Sequence, residues 1–149
     1  MAFRSFMDEA LTEARAAGAR GEVPVGAVVV VAGVVVARAG NRVRELCDPT
    51  AHAEMLALRV ACRAAGSERL AGHDLYVTLE PCAMCAGAIA AARVARLYYG
   101  ASDAKSGGVA VGARVFSHGQ CHHVPEVYEG LAASEAEALL KGFFAGRRD

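Results

Sequence analysis

Two short motifs, distant in the chain, constrain the fold more than any other feature of the sequence. His52 and Glu54 form the first motif, and Pro81, Cys82 and Cys85 form the second after a gap of 26 residues between Glu54 and Pro81. Histidine and cysteine are good zinc ligands, so the fold must bring His52 to both cysteines. Three protein ligands leave one coordination position open for water, which is typical of a catalytic zinc rather than a structural one. The motifs therefore predict hydrolytic chemistry.

Length and composition favour one domain over 1–149, because a chain of 149 residues can bury a real core but is short for two domains. The longest uncharged run, 23–37, is shorter than the roughly 20 apolar residues of a membrane-spanning helix, and the first ten residues do not resemble a secretion signal. Five cysteines, an odd number, do not form a disulfide framework, so we expect reduced thiols and a cytoplasmic location. The net charge of zero does not indicate a polyanionic partner.

The residue pattern predicts helices that alternate with short strands. Helices are expected at 5–17, 51–65, 82–92 and 134–145, and strands at 25–31, 34–39, 75–79, 94–100 and 124–129, with a glycine-rich loop at 102–112. Ser5 is a plausible N-cap of the first helix, and Gly18 and Gly66 are expected to end the first two helices. Pro81 stands where a first helical residue would tolerate it, at the start of the third helix. A hairpin followed by alternating strands and helices predicts an α/β sandwich with a mixed sheet.

Both motifs fall at predicted helix starts. His52 and Glu54 lie in one first turn, where both can face a site beyond the helix end, and Cys82 and Cys85 are three apart, on one helix face. A metal between two helix N-termini gains from their dipoles, which favour thiolates and a developing hydroxide. We assign His52, Cys82 and Cys85 as zinc ligands and Glu54 as general acid and base.

Two other interpretations of the cysteine pair remain open. The pair could be a redox motif, although that leaves His52 and Glu54 unexplained. It could also belong to a structural zinc site, with a fourth ligand from Cys121 or its neighbours His122 and His123.

The two motifs match the signature of zinc-dependent nucleobase deaminases, and a longer set of segments resembles the bacterial tRNA-specific adenosine deaminases. These segments are EVPVGAV at 22–28, Asn41, DPTAHAE at 48–54, LYVTLEPC at 75–82, MCAGAI at 84–89, YGASDAK at 99–105 and the phenylalanine pair at 143–144. The resemblance implies a three-layer α/β/α cytidine deaminase-like fold with a mixed five-stranded sheet, and a homodimer with one Zn²⁺ per subunit. It also implies conversion of the wobble adenosine of an arginine tRNA anticodon loop to inosine.

By the same resemblance, Asn41 would bond the flipped-out adenine, and the Ala53 backbone would touch it. The residues that would contact the flanking anticodon loop are Asp103, Lys105, Phe144 and Arg148. Simpler roles compete with these: Asn41 could merely end a strand, and only one of Phe143 and Phe144 is expected to be free for RNA.

Two other function classes compete with the tRNA deaminase. A deaminase of free nucleobases or nucleosides, such as guanine or cytosine, would use identical zinc machinery. A noncatalytic zinc module that binds nucleic acid would not need Glu54 at all. The zero net charge of the chain is also unusual for a tRNA-binding protein.

Overall fold

A five-stranded sheet forms the centre of the molecule. The computed structural model describes residues 3–147. Its elements, in chain order, are α1 (Met7–Ala19), β1 (Gly26–Val31), β2 (Val34–Gly40), α2 (Ala53–Ala65), β3 (Asp74–Leu79), α3 (Ala83–Ala91), β4 (Arg96–Ala101), a 3₁₀ turn (Val115–Ser117), β5 (Glu126–Tyr128) and α4 (Ala133–Ala145). The strand order across the sheet is β2-β1-β3-β4-β5.

The sheet is mixed, as the sequence predicted. β1 pairs antiparallel with both β2 and β3, whereas β3, β4 and β5 run parallel to one another. The β1–β2 hairpin turns at Ala32 and Gly33, which both have positive φ, the backbone that a tight two-residue hairpin turn requires. The parallel pair β3–β4 is joined through α3, because parallel strands need a crossover connection.

Two helices cover each face of the sheet, which confirms the predicted three-layer α/β/α arrangement. Side chains alternate along β1, so Ala27 and Val29 face one layer while Val28 and Val30 face the other. The first set packs with α2 and α3 in one buried cluster, and the second packs with α1 and α4 in another. Within residues 3–147, the helices are too short or too polar to cross a bilayer.

Three details at helix ends differ from the sequence prediction. Gly18 does not end α1; the helix continues to Ala19 and the chain reverses at Gly21, whose φ of 89° suits a glycine. Ser5 is not the N-cap, although its Oγ accepts the backbone N–H of Met7 at 3.1 Å. Pro81 precedes the Cys82 N-cap instead of opening α3. Gly66 ends α2 in a left-handed conformation, as predicted.

The topology gathers the polar residues of the sequence motifs at one edge of the sheet. Because β3 and β4 are parallel, their carboxyl ends lie side by side, with Leu79 paired to Ala101. Glu80 and Pro81 therefore leave the sheet beside Ser102 and Asp103, and α3 begins immediately afterwards. This edge carries the site described below.

Candidate zinc-dependent active site

Three potential metal ligands converge from two helix N-termini. His52 is the N-cap residue of α2 and Cys82 is the N-cap residue of α3, both with extended backbone, and Cys85 lies in the first turn of α3. His52 Nδ1 lies 3.6 Å from Cys82 Sγ and 3.5 Å from Cys85 Sγ. One ligand atom from each residue lies within 4.8 Å of the others. The structure thus brings together the three residues that the sequence assigned as ligands.

The spacing of these atoms fits a tetrahedral zinc ion. With typical Zn–N and Zn–S bonds, ligand nitrogen and sulfur atoms are expected about 3.5 Å apart. The histidine ring and two sulfurs also suit zinc better than magnesium or calcium, which prefer oxygen ligands. Three protein ligands would leave a fourth position for water, as a catalytic site requires, and two of them, His52 and Cys82, line the pocket.

Electrostatics prepare one of the two thiols for metal binding. Hydrogen bonds from Cys85 and His52 lower the pKa of Cys82 to about 4, so this residue is a thiolate at neutral pH. The hydrogen bond to Cys82, together with burial, raises the pKa of Cys85. The hydrogen bond with Cys82 likewise raises the pKa of His52. Since zinc binds thiolates and neutral imidazole, metal binding must release the protons that these groups share.

Glu54 lies beside the ligands and is almost completely buried. Its residue exposure is 4%, and it occupies the first turn of α2, two positions after His52. Burial raises the pKa of its carboxyl from 4.5 to about 7. A carboxyl that titrates near neutral pH can both accept and donate a proton, which is the property of a general acid and base.

The ligands open onto a pocket of about 460 Å³. Its walls come from the α1–β1 and β2–α2 segments, the start of α2, the β3–α3 connection, the segment after β4, and the C-terminal residues Phe143 and Arg147. The lining residues are Gly21, Glu22, Val23, Val25, Asn41, Val43, Arg44, His52, Glu54, Leu79, Glu80, Cys82, Asp103, Ser106, Phe143 and Arg147. The volume suits a nucleobase with part of its sugar, because small-molecule sites commonly range from about 300 to 1,000 Å³.

Asn41 and Ala53, the two residues expected to touch the base, are bonded to each other. The side-chain Oδ1 of Asn41 accepts the backbone N–H of Ala53 at 2.8 Å, which satisfies one of the free amides at the start of α2. Asn41 follows directly after the last residue of β2, so ending the strand and capping α2 are compatible roles. With Oδ1 occupied in this way, the NH₂ group is the part of the amide that can donate to a ligand.

Asp103 lines the pocket, and Lys105 lies just outside the lining. Asp103 Oδ1 accepts the backbone N–H groups of Lys105 at 3.1 Å and Ser106 at 3.0 Å, so the aspartate shapes its own turn. Lys105 is exposed, and Ser106 reaches the pocket. The predicted RNA contacts of Asp103 and Lys105 remain predictions.

Near the C-terminus, the sequence neighbours of the predicted residues Phe144 and Arg148 line the pocket. Phe144 is 55% exposed and does not line the pocket, whereas Phe143 does. The Arg147 guanidinium lies 4.2 Å from the centre of the Phe143 ring and also reaches the pocket. Arg148 lies outside the described residues. The roles predicted for Phe144 and Arg148 are therefore untested.

Sequence reasoning missed two buried carboxylates in the pocket wall. Glu22 accepts the backbone N–H groups of Arg44 at 3.1 Å and Glu45 at 2.9 Å, and thereby holds the β2–α2 loop. Burial opposes ionisation of Glu80, but hydrogen bonds from Asp103, Ala110 and Val109 outweigh it and hold its pKa below the usual value. Both glutamates belong to segments that the sequence singled out, but their partners lie more than twenty residues away, so no local signal revealed them.

The residues considered for a fourth zinc ligand lie elsewhere. Cys121 and His122 line a separate cavity of about 400 Å³, and the Cys121 thiol donates to the His123 carbonyl at 3.2 Å. His123 is engaged with the Val94 carbonyl at 2.7 Å. Among residues 3–147, the one His/Cys/Asp/Glu cluster close enough to hold a metal is His52, Cys82 and Cys85.

Comparison with known proteins agrees with this geometry. Residues 2–101 match the family model described as the zinc-binding region of cytidine and deoxycytidylate deaminases. The chain belongs to this deaminase family. With that assignment, Zn²⁺ is the metal of the His52, Cys82 and Cys85 site.

Individual relatives show which deaminases the chain resembles. A tRNA-specific adenosine deaminase of Agrobacterium fabrum is 61% identical over 96% of this chain and 94% of its own length. A solved structure from a study of A-to-I editing by tRNA:A34 deaminases at the wobble position superposes with a TM-score of 0.89 at 62% identity, over 91% of this chain and 98% of the other. A guanine deaminase from Nitrosomonas europaea has a TM-score of 0.82 at 25% identity, over 97% and 87% of the two chains. Fold alone thus does not choose between these substrates.

Proposed function

We propose that this protein hydrolyses the wobble adenosine of a tRNA anticodon loop to inosine. The observation that carries the proposal is the buried Glu54 carboxyl beside a three-ligand zinc site, at the base of a pocket large enough for a purine nucleoside. The substrate class is supported by the relatives, since identity is 61% to a tRNA-specific adenosine deaminase but 25% to a guanine deaminase of the same fold.

The residues around the pocket account for each part of the reaction. Zinc, when bound, supplies a water that ionises near neutral pH. Glu54 accepts a proton from this nucleophile as the C6–O bond forms. Glu54 passes this proton to ring N1 and then moves the remaining hydroxyl proton at C6 to the departing amine, so the C6–N bond breaks, ammonia leaves and a carbonyl remains at C6. The Asn41 side chain is held beside the α2 N-terminus by its hydrogen bond with the Ala53 N–H, and its NH₂ group donates to the base.

The RNA-binding proposal rests on the pocket rim. Arg44 and Arg147 both line the mouth of the pocket, and arginine is well suited to phosphate. We propose that these two arginines, together with Lys105, hold the anticodon-loop backbone, and that Phe144 stacks on a flanking base. Segregation of arginines at this rim offers a way for a chain of zero net charge to bind RNA.

Two classes of substrate, RNA and free bases or nucleosides, distinguish the proposal from a free-base deaminase. Zinc-loaded protein is incubated with an anticodon stem-loop that carries adenosine at the wobble position, and with a panel of guanine, adenine, cytosine and their nucleosides. A stem-loop with its adenosine moved one position serves as the control. Inosine at the wobble position, with the panel inert, supports the proposal. Turnover of guanine with intact RNA would replace it with a free-base deaminase.

We also propose a cytoplasmic homodimer. The outer faces of α2 and α3 expose apolar side chains, including Val60 at 45% and Met84 at 36%. All five cysteines are unpaired, which suits a reducing compartment. Sedimentation equilibrium should give twice the chain mass, and Met84→Asp should shift the protein towards monomer. A wild-type protein that is monomeric at micromolar concentration would contradict the dimer.

A further inference from the structure

Glu80 is a buried carboxylate that organises a loop without being a metal ligand. Its residue exposure is 2%, and it lies between the end of β3 and Pro81. Oε1 accepts the Ser102 hydroxyl and the Asp103 backbone N–H, each at 3.1 Å. Oε2 accepts three consecutive backbone N–H groups, those of Val109 at 3.1 Å, Ala110 at 2.8 Å and Val111 at 3.3 Å.

These five hydrogen bonds tie both ends of one loop to a single side chain. The loop spans 102–111, follows β4, and contains Asp103 and Ser106 of the pocket wall. It is also packed without spare room: a Cβ added to Gly107 would lie 2.6 Å from Glu80 Cδ, and one added to Gly108 would lie 2.5 Å from Ala83 N. The loop therefore fits closely between Glu80 and the start of the cysteine-bearing helix α3.

The Asp103 carboxylate extends these contacts along the pocket wall. Glu80 holds the backbone of Asp103, and the Asp103 carboxylate in turn accepts the N–H groups of Lys105 and Ser106. Loss of the Glu80 hydrogen bonds would also free the turn that the Asp103 carboxylate forms, because Glu80 fixes the backbone of Asp103 to the rest of the protein. The Glu80 carboxylate thus holds the part of the pocket wall that Asp103 and Ser106 form.

We propose that Glu80 is a positioning residue for RNA binding, which acts by holding the 102–111 loop in the shape that presents Asp103, Lys105 and Ser106 to the substrate. This inference rests on the proposed function for its substrate, but not for the loop anchoring. Glu80 is distinct from Glu54: it transfers no proton, and its hydrogen bonds go to the loop instead of the ligand cluster.

The isosteric variant Glu80→Gln tests the role of the carboxylate. Both oxygens accept hydrogen bonds, and a glutamine replaces one of them with an NH₂ donor that faces N–H groups. We expect KM for the anticodon stem-loop to rise about 10-fold or more, because buried hydrogen-bonding groups of the loop are left without an acceptor. kcat should change less than KM, and the zinc content should stay at that of wild type. Glu137→Gln, on the exposed side of α4, is the matched control and should leave KM unchanged.

Hydrogen exchange supplies a readout that does not need a substrate. In Glu80→Gln, the amides of 109–111 should exchange faster than in wild type, because their shared acceptor is altered. Unchanged exchange together with unchanged KM would overturn the proposal, and so would loss of zinc in parallel with kcat. If wild type fails to deaminate the RNA, the proposed function falls, and the exchange result alone decides whether Glu80 holds the loop.

Two glycine substitutions test the same loop contact if the Glu80→Gln protein does not fold. Gly107→Ala should push the loop away from an intact Glu80 and raise KM in the same way, since its Cβ would meet Glu80 Cδ at 2.6 Å. Gly119→Ala is the control, because a Cβ there meets nothing within 4 Å. A Gly107→Ala protein with the KM and the 109–111 exchange rates of wild type would refute the anchoring role.

Discussion

Replacement of Glu54 by glutamine should inactivate the enzyme and at the same time stabilise the metal-free protein. Glu54 is 4% exposed, and burial raises its pKa from 4.5 to about 7. Glutamine has nearly the same shape but cannot carry a proton between water and a leaving amine. General acid–base catalysis contributes about 10²- to 10⁴-fold, so kcat should fall by at least about 100-fold. Zinc should remain bound, because His52, Cys82 and Cys85 are unchanged.

The stability gain follows from the direction of the pKa shift. Below pH 4.5 the carboxyl is protonated in both folded and unfolded chains, so its ionisation does not affect folding. As the pH rises from there to about 7, the unfolded chain ionises first, and stability is lost progressively. The difference between the two pKa values corresponds to about 3 kcal/mol, at 1.36 kcal/mol for each pH unit. Glutamine is neutral throughout and avoids this loss.

Urea denaturation of chelator-treated proteins from pH 4.5 to 8 measures the effect. The variant should match wild type near pH 4.5 and exceed it by up to about 3 kcal/mol at pH 8. With zinc bound the gap should shrink, since the cation favours the ionised carboxylate. Glu137→Gln, an exposed control on α4, should show no such trend. A gap that is constant with pH, or zinc loss in Glu54→Gln, would refute the assignment of Glu54 as a buried, non-ligating acid.

Three further predictions test the ligand set, the base contact and the RNA. Cys82→Ala should lose zinc and activity together, because two remaining ligands hold the metal poorly; full occupancy by metal analysis would show that the ligand set is wrong. Asn41→Asp keeps the acceptor for the Ala53 N–H but loses the NH₂ donor, so KM should rise while thermal stability changes little; Asn41→Ala should also cost about 1 kcal/mol of stability through the lost cap. RNA affinity should fall with salt, with a log–log slope near −0.7 per single-strand phosphate contact, and a flat response would contradict RNA binding.

The sequence by itself predicted the candidate ligands, which the structure brings together, and most of the secondary structure. His52, Cys82 and Cys85 could be assigned from residue type and spacing, since few other side chains bind zinc and both motifs follow helix-start signals. The alternation of strands and helices likewise predicted a mixed sheet between helices, and the structure has it. Helix ends were less certain: α1 passes through Gly18 because the glycine further along, Gly21, adopts the left-handed turn.

Only the tertiary structure decided how the pocket wall is held and which residues face it. Phe143 and Phe144 are the same residue type at adjacent positions. Only the packing of α4 and the residues after it determined that Phe143 and Arg147 line the pocket. The role of Glu80 was even less accessible from the sequence, since its hydrogen-bond partners lie 22 to 31 residues further along the chain. Metal ligands can be predicted from residue type and short spacing in the sequence. A carboxylate that anchors a loop, by contrast, acquires its role from long-range contacts, which here arise because β3 and β4 pair in parallel.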